Sequence, residues 1–354
     1  MIISRTPFRL SFFGGGTDYP AFYRAHGGEV LSTTIDKYCY LTCRYLPPFF
    51  EHSIRIVYST IENCRSVDEI QHPVVREALR FLHIDRGVEI HHDGDLPARS
   101  GMGSSSAFTV GLLHALHALQ GRMMTKLQLA EEGIVIEQER LRESVGSQDQ
   151  VAAAYGGFNH ITFQPNGQIQ VRPMALSRER VSEFNAHFML FYTGIQRTAS
   201  SIAEGVVKEI PKSESLLRRS RGLVAEAMEV LTSGRDLAPI GVLLHEAWLA
   251  KRSLSARVSN AEVDKIYAAA RAAGATGGKL TGAGGGGFML LFVPPAKQTR
   301  VREALKNLIH VPFRFESSGS QIIFFDREQD YSAEERARSG QEITRFRELT
   351  APGP

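Results

Sequence analysis

The hydrophobic pattern changes period several times along the chain. Residues 2–13 carry two short β-type runs around Pro7, with Phe8, Leu10 and Phe12 alternating against Arg9 and Ser11, the period-two signature of a strand. This run stops at Gly14-Gly-Gly-Thr-Asp18, a loop by composition. Residues 30–44, 53–59 and 88–92 read as further strands. Apolar sequence at helical spacing then predicts helices over residues 105–120, ended by Gly121, and over 125–142 with Thr125 as cap. A third helix starts near Ser147 and closes on Gly156-Gly157, and residues 158–173 form a hairpin around Asn166-Gly167.

Past a charged stretch, 177–183, the pattern resumes. It predicts a strand over 188–192, helices over 213–233, 237–255 and 260–273, and a buried strand over 288–293. A helix over 297–308 and strands over 311–315 and 321–325 are expected to finish this second part, before a charged tail. Strands and helices mix without regular βαβ alternation, so the fold class is α+β. The expected domains are 1–180 and 181–326, followed by a tail over 327–354.

Composition narrows the partners. A chain of 354 residues has room for two cores. Lys plus Arg (41) nearly balance Asp plus Glu (38), and no basic block points to nucleic acid. Cys39, Cys43 and Cys64 are too few and wrongly spaced for a zinc cage or disulfide framework. The N-terminus lacks a signal-peptide pattern, and no apolar run approaches the roughly 20 residues that span a bilayer. A cytoplasmic protein is expected, with no membrane partner; self-association stays open.

Three glycine-containing blocks carry the chemistry. In Leu96-Pro-Ala-Arg-Ser-Gly-Met-Gly-Ser-Ser-Ser106 the chain turns on glycine and enters a helix through serines. The free N–H groups of such a helix start suit a phosphate, although a plain serine-capped turn has the same look. No Walker Lys-Ser/Thr pair follows, and the third glycine of a dinucleotide fingerprint is missing. The second block, Lys279-Leu-Thr-Gly-Ala-Gly-Gly-Gly-Gly287, precedes a buried strand. Glycine costs about 0.5–1 kcal/mol relative to alanine in regular structure, so such a run implies that another backbone or a ligand passes close by. The third block sets Arg9 on a strand and Asp18 just past a triple-glycine turn. There a carboxylate either accepts hydrogen bonds from the paired hydroxyls of a polyol or caps the next helix.

Together the three blocks resemble, in order and distance, the motifs of the GHMP kinases (galactokinase, homoserine, mevalonate and phosphomevalonate kinases). Thr6-Pro-Phe-Arg9 with Gly14–Asp18 is similar to the sugar-kinase branch, and most nearly to the kinases of a heptose 7-phosphate. The resemblance spans residues 1–325. It implies a ribosomal-protein-S5-like N-terminal domain and a ferredoxin-like C-terminal domain, with ATP and Mg²⁺ as cofactors. Pro97, Arg99, Ser100, Gly101, Met102, Gly103, Ser104, Ser105 and Ser106 would then hold the nucleotide, and Ser105 with Glu137 the metal. Asp149 would be the base, with Arg9 beside it. Gly15, Gly16, Thr17, Asp18, Asp149, Gly284 and Gly285 would face the acceptor, with Arg197, Lys251 and Arg252 as basic groups for a sugar phosphate. Read as residues alone, Glu137 follows the apolar Ile134-Val135-Ile136 and so points to the buried side, with an ordinary surface glutamate as the lesser reading, while the three basic residues are equally surface charges. A kinase for a free sugar and a catalytically silent sensor of the same fold are the alternatives.

Overall fold

The computed structural model describes residues 1–47, 49–50, 52–98, 100–195, 213–327, 331 and 333. Most of the charged tail and the segment around Arg197 therefore lie outside the described residues, as does Arg99.

Two sheets organise the chain. The first is built on the long antiparallel pair β1 (Ile2–Phe13) and β2 (Gly28–Tyr45), separated by the short helix α1 (Pro20–His26). Strands β3 (Ile54–Val57), β4 (Ile61–Cys64) and β5 (Val88–Gly94) extend it, with helix α2 (Pro73–Phe81) between β4 and β5. No element stands out between residues 60 and 87 by pattern. The helix is nonetheless well specified, with Pro73 in its first turn, His72 as cap and one face made of Val74, Val75, Ala78 and Leu79.

Helix α3 (Ser104–Leu119) crosses β1 and β2. Helices α4 (Lys126–Ile134) and α5 (Gln148–Tyr155) pack against it and each other. The single helix expected over 125–142 is interrupted, because residues Val135–Arg140 form a π-helical turn. Such turns are rare and frequently mark functional positions. The hairpin of β6 (Asn159–Phe163) and β7 (Ile169–Pro173) joins the sheet through β2, as the Asn166-Gly167 signal predicts.

The charged stretch after it is a helix, α6 (Arg178–Ala186), capped by Ser177. Its amphipathic signal is thin because one residue, the fully buried Phe184, anchors it.

The second sheet holds β8 (Phe188–Tyr192), β9 (Gly277–Leu280), β10 (Phe288–Phe292) and β11 (Ile309–His310) in the order β11-β8-β10-β9. Its helices are α7 (Glu214–Thr232), α8 (Ala238–Leu254), α9 (Ala261–Ala273) and α10 (Gln298–Ala304). The last strands, expected to finish this part, pair elsewhere: β12 (Phe315–Glu316) with β2 and β13 (Gln321–Phe325) with β1. Local pattern identifies a strand but not its sheet. Phe12 and Phe315 of the first sheet meet Phe188 of the second, and Phe184 touches all three. This aromatic junction holds both sheets against the site.

Candidate active site

Strand β1 delivers the first side chain. Arg9 is buried because the glycine-serine loop lies across its face of the strand. Its backbone N–H donates to Met102 O at 3.1 Å and its Nη1 to Gly101 O at 2.9 Å. The fork of Nε and Nη2 donates to Oδ1 and Oδ2 of Asp149, each at 2.7 Å, the bidentate geometry that guanidinium favours. Asp149 sits in the first turn of α5, and its side chain keeps 25% exposure against 5% for Arg9. The carboxylate is thus held from one side and open on another. Gly103 permits this: any Cβ there would stand 3.1 Å from Arg9 Cγ and 3.6 Å from Asp149 Cγ.

The loop itself enters α3 without a serine cap. Its N-cap is Gly103 in left-handed conformation, with no side-chain capping bond, and the three serines open the helix. The N–H groups of the first turn point outward for an anion. Met102 is fully buried beneath the loop and Pro97 is exposed ahead of it. Ser100 is buried, and its Oγ has no partner among the described residues.

Glu137 is buried on the π turn rather than on the surface. Ser106 Oγ donates to its Oε2 at 2.9 Å and Gln150 Nε2 to the same oxygen at 2.5 Å, while Oε1 has no partner among the described residues. Burial pushes this carboxyl up to about 7. The serine hydroxyl beside Glu137 is that of Ser106, with the Thr109 side chain also against the carboxyl; Ser105 is exposed, and its carbonyl accepts from Thr109. No group of three or more His, Cys, Asp or Glu gathers at metal spacing among the described residues. A buried carboxylate next to hydroxyls nevertheless fits Mg²⁺, which takes one or two carboxylates and completes its shell with phosphate oxygens and water.

Asp18 is buried and does not cap α1, whose N-cap is Tyr19. Its Oδ1 accepts from Gly16 N–H at 2.9 Å and its Oδ2 from Gln148 N–H at 3.4 Å, tying the triple-glycine turn to α5. Burial, then the Asp149 charge, raises its pKa. A Cβ at residue 146 would fall 1.9 Å from Asp18 Oδ2, so only glycine fits there. Thr17 turns its hydroxyl inward, to Gly14 O and Glu29 O, and so braces the turn.

Helix α8 and strand β9 each bring a lysine. Lys251 Nζ donates to Leu280 O at 2.9 Å and Gly282 O at 2.5 Å. Its pKa is lowered, mainly by burial and then by Lys279 and Arg9, with Asp149 and Asp18 opposing. Lys279 Nζ donates to Phe12 O at 3.1 Å, and burial, then Arg9, pushes its pKa down to about 8. Arg252, one residue on, points elsewhere: its Nη2 meets Asp264 Oδ2 at 2.9 Å and its guanidinium covers the Trp248 ring. Gly284 and Gly285 pack against Val258 O, and the latter's N–H donates to it.

The sequence-predicted Arg9, Asp18, Asp149 and Lys251 therefore meet in one place, with Glu137 behind the phosphate loop. Lys279, Gln148 and Gln150 join them without having been singled out, and Ser106, expected at the nucleotide, turns its hydroxyl to Glu137. The signal for the two glutamines was their position on either side of Asp149; for Lys279 it was its place just ahead of a glycine block that had to touch the loop.

The comparisons agree with this geometry. The sequence model of the GHMP kinases N terminal domain matches residues 71–157, and that of the GHMP kinases C terminal matches 215–310. A D-glycero-alpha-D-manno-heptose 7-phosphate kinase of Campylobacter jejuni is 30% identical over 86% of this chain and 93% of its own. A galactokinase of Pyrococcus furiosus is 25% identical over 86% and 92%. Among solved structures, a D-glycero-D-manno-heptose 1-phosphate kinase from Bacteroides thetaiotaomicron superimposes with a TM-score of 0.69 at 25% identity, covering 92% of this chain and 100% of that one. The galactokinase of Lactococcus lactis shares the fold at 18% identity, with a TM-score of 0.68 over 90% and 94%. The chain belongs to the GHMP kinases. It is a phosphotransferase that acts on a hydroxyl group. No helix among the described residues is long and apolar enough to cross a membrane.

Proposed function

We propose that the protein transfers the γ-phosphoryl group of ATP to the anomeric (C1) hydroxyl of D-glycero-D-manno-heptose 7-phosphate, giving the 1,7-bisphosphate. The product would feed nucleotide-activated heptose to a capsule, surface-layer or lipopolysaccharide glycan, with the reaction in the cytoplasm. The observation that carries the chemistry is the Arg9 fork, which ties the Asp149 carboxylate to the backbone of the phosphate loop. Phosphoryl transfer asks the protein mainly for positioning and electrostatics. Here one guanidinium sets the distance between the proton acceptor and the loop that holds the donor.

In this reading the N–H groups at the start of α3 hold the triphosphate. Asp149, through its open side, orients the acceptor hydroxyl and takes its proton late in transfer. Asp18 positions the triple-glycine turn against which the sugar rests. Glu137 and Ser106 would hold Mg²⁺, which when bound neutralises charge on the β- and γ-phosphates. The choice of a heptose phosphate is supported by the 30% identical relative and by the basic side chains of Lys251 and Lys279 at the cluster.

One observation favours a second reading, a kinase for a free sugar of the fucose or galactose type. Arg252 is engaged by Asp264, so it offers nothing to an acceptor's own phosphate. ATP consumption with a panel of sugars and sugar phosphates, the product's phosphate located by phosphorus NMR, separates the two. Turnover of the heptose 7-phosphate with a new anomeric phosphate is expected. Turnover of free sugars alone would replace the first reading by the second.

A further inference from the structure

The three consecutive glycines of the first turn are glycine for different reasons. Gly14 and Gly16 have φ of +80° and +98°, and a Cβ on them would meet Glu29 O at 1.9 Å and Leu217 Cδ2 at 2.9 Å. Both are required by the backbone. Gly15 is not: its φ lies outside the left-handed region, and a Cβ built there touches nothing closer than 3.8 Å. The three atoms around that point are all polar, Ser11 Oγ at 3.8 Å, Gln148 Nε2 at 3.9 Å and Lys279 Nζ at 4.0 Å.

These groups are poorly satisfied within the protein. Ser11 Oγ and Gln148 Oε1 are buried with no hydrogen-bond partner among the described residues. Gln148 and Lys279 are 9% and 6% exposed, and the one hydrogen bond described for the Lys279 ammonium, which carries three donors, goes to Phe12 O. Buried polar atoms left unpaired are costly, and a native protein keeps them where something else pairs with them. Gly15 itself is half-buried, and Gln148 adjoins Asp149 in the chain, so the space lies next to the proposed reaction centre.

We infer that Gly15 leaves open a polar niche, walled by Ser11, Gln148 and Lys279, that seats one hydroxyl of the acceptor and so sets which sugar is accepted. The niche donates from lysine and carboxamide and accepts at serine and carboxamide oxygen. A hydroxyl, which does both, satisfies it; an apolar substituent or a bare hydrogen does not. Selection by a site built to pair with a hydroxyl is severe, because the analogue lacking it leaves the buried groups unpaired. The inference rests on the sugar-kinase reading and deepens it.

Gly15→Ala tests it, since the methyl group enters the niche without strain on the backbone. Folding is monitored by thermal melting and nucleotide binding by titration with ATP. Both are expected to stay as in the wild type, while the KM for the accepted sugar rises on the order of tenfold or more. Ser11→Ala should raise it in the same direction. Among monodeoxy analogues of that sugar, one should be a poor substrate for the wild type and lose nothing further in Gly15→Ala, a non-additivity that marks direct contact. An unchanged sugar KM in a folded Gly15→Ala protein overturns the niche alone and leaves an ordered water as its occupant. If the wild type turns over no sugar at all, the kinase reading fails and the niche falls with it. Should Gly15→Ala melt early, Ser11→Ala with the same analogues decides, and additive losses there overturn the inference.

Discussion

A Cβ on Gly282 would fall 2.4 Å from the Cα of Gly101, and one on Gly101 would meet Thr281 O at 2.8 Å. The glycine block ahead of β10 is therefore the floor under the phosphate loop. Gly287 repeats the contact, its Cβ direction blocked by Ser100 O at 2.3 Å. Gly282 has a φ of +62°, so Gly282→Ala adds conformational strain to overpacking, each worth about 1–3 kcal/mol. The expected outcome is a lower Tm and a KM for ATP raised by about tenfold or more. A melting curve and a nucleotide titration check it, and unchanged ATP affinity would detach the block from the loop.

The Arg9–Asp149 fork yields a second expectation. Asp149→Asn keeps the shape but removes the proton acceptor, and general-base contributions run to about 10²–10⁴-fold. Turnover should fall by that order while ATP binding stays within a few-fold. Arg9→Lys keeps a charge but not the fork, and should also lose turnover through a mispositioned base. Stopped assays of both variants at saturating substrate measure this; near-normal turnover in Asp149→Asn would exclude it as the base.

Glu137 makes stability depend on pH in a defined direction. Its carboxyl is raised from 4.5 to about 7 by burial. The folded protein thus binds an extra proton between those values, and its stability falls as pH rises through them. Above about pH 7 the buried charge costs on the order of 3 kcal/mol. Without metal, Glu137→Gln should melt higher than wild type at pH 8 and alike at pH 4. Adding Mg²⁺ and nucleotide at pH 8 should reverse the order, because the wild-type carboxylate then has a cation. A Tm difference that ignores both pH and Mg²⁺ would remove Glu137 as ligand.

Lys251 and Arg252 should part company. The Lys251 ammonium braces Leu280 O and Gly282 O inside the charged cluster, so Lys251→Met is expected to cut kcat/KM for the acceptor by about tenfold or more. Arg252 pairs with a half-exposed Asp264, an arrangement worth about 1 kcal/mol or less. Arg252→Ala should leave both KM values within about twofold. Steady-state kinetics with each substrate varied in turn distinguish them.

Much of this was legible in the chain. The order and spacing of the glycine blocks and the strongly periodic elements need no coordinates, because glycine freedom and period are local properties. Glu137 and Asp149 were named by the resemblance to the GHMP kinases and not by pattern. A pattern cannot say which sheet receives a strand, and so β12 and β13 were expected in the wrong one. Nor can it say which of three adjacent serines reaches Glu137, or which of two adjacent basic residues enters the cluster. One step along a helix turns a side chain by about 100°; packing therefore chose Ser106 and Lys251. It also brought Lys279 across from the second sheet to a carbonyl of β1. Contacts between residues hundreds of positions apart depend on how the two sheets seat on each other, and that is settled by the phenylalanine junction and the glycine floor acting together.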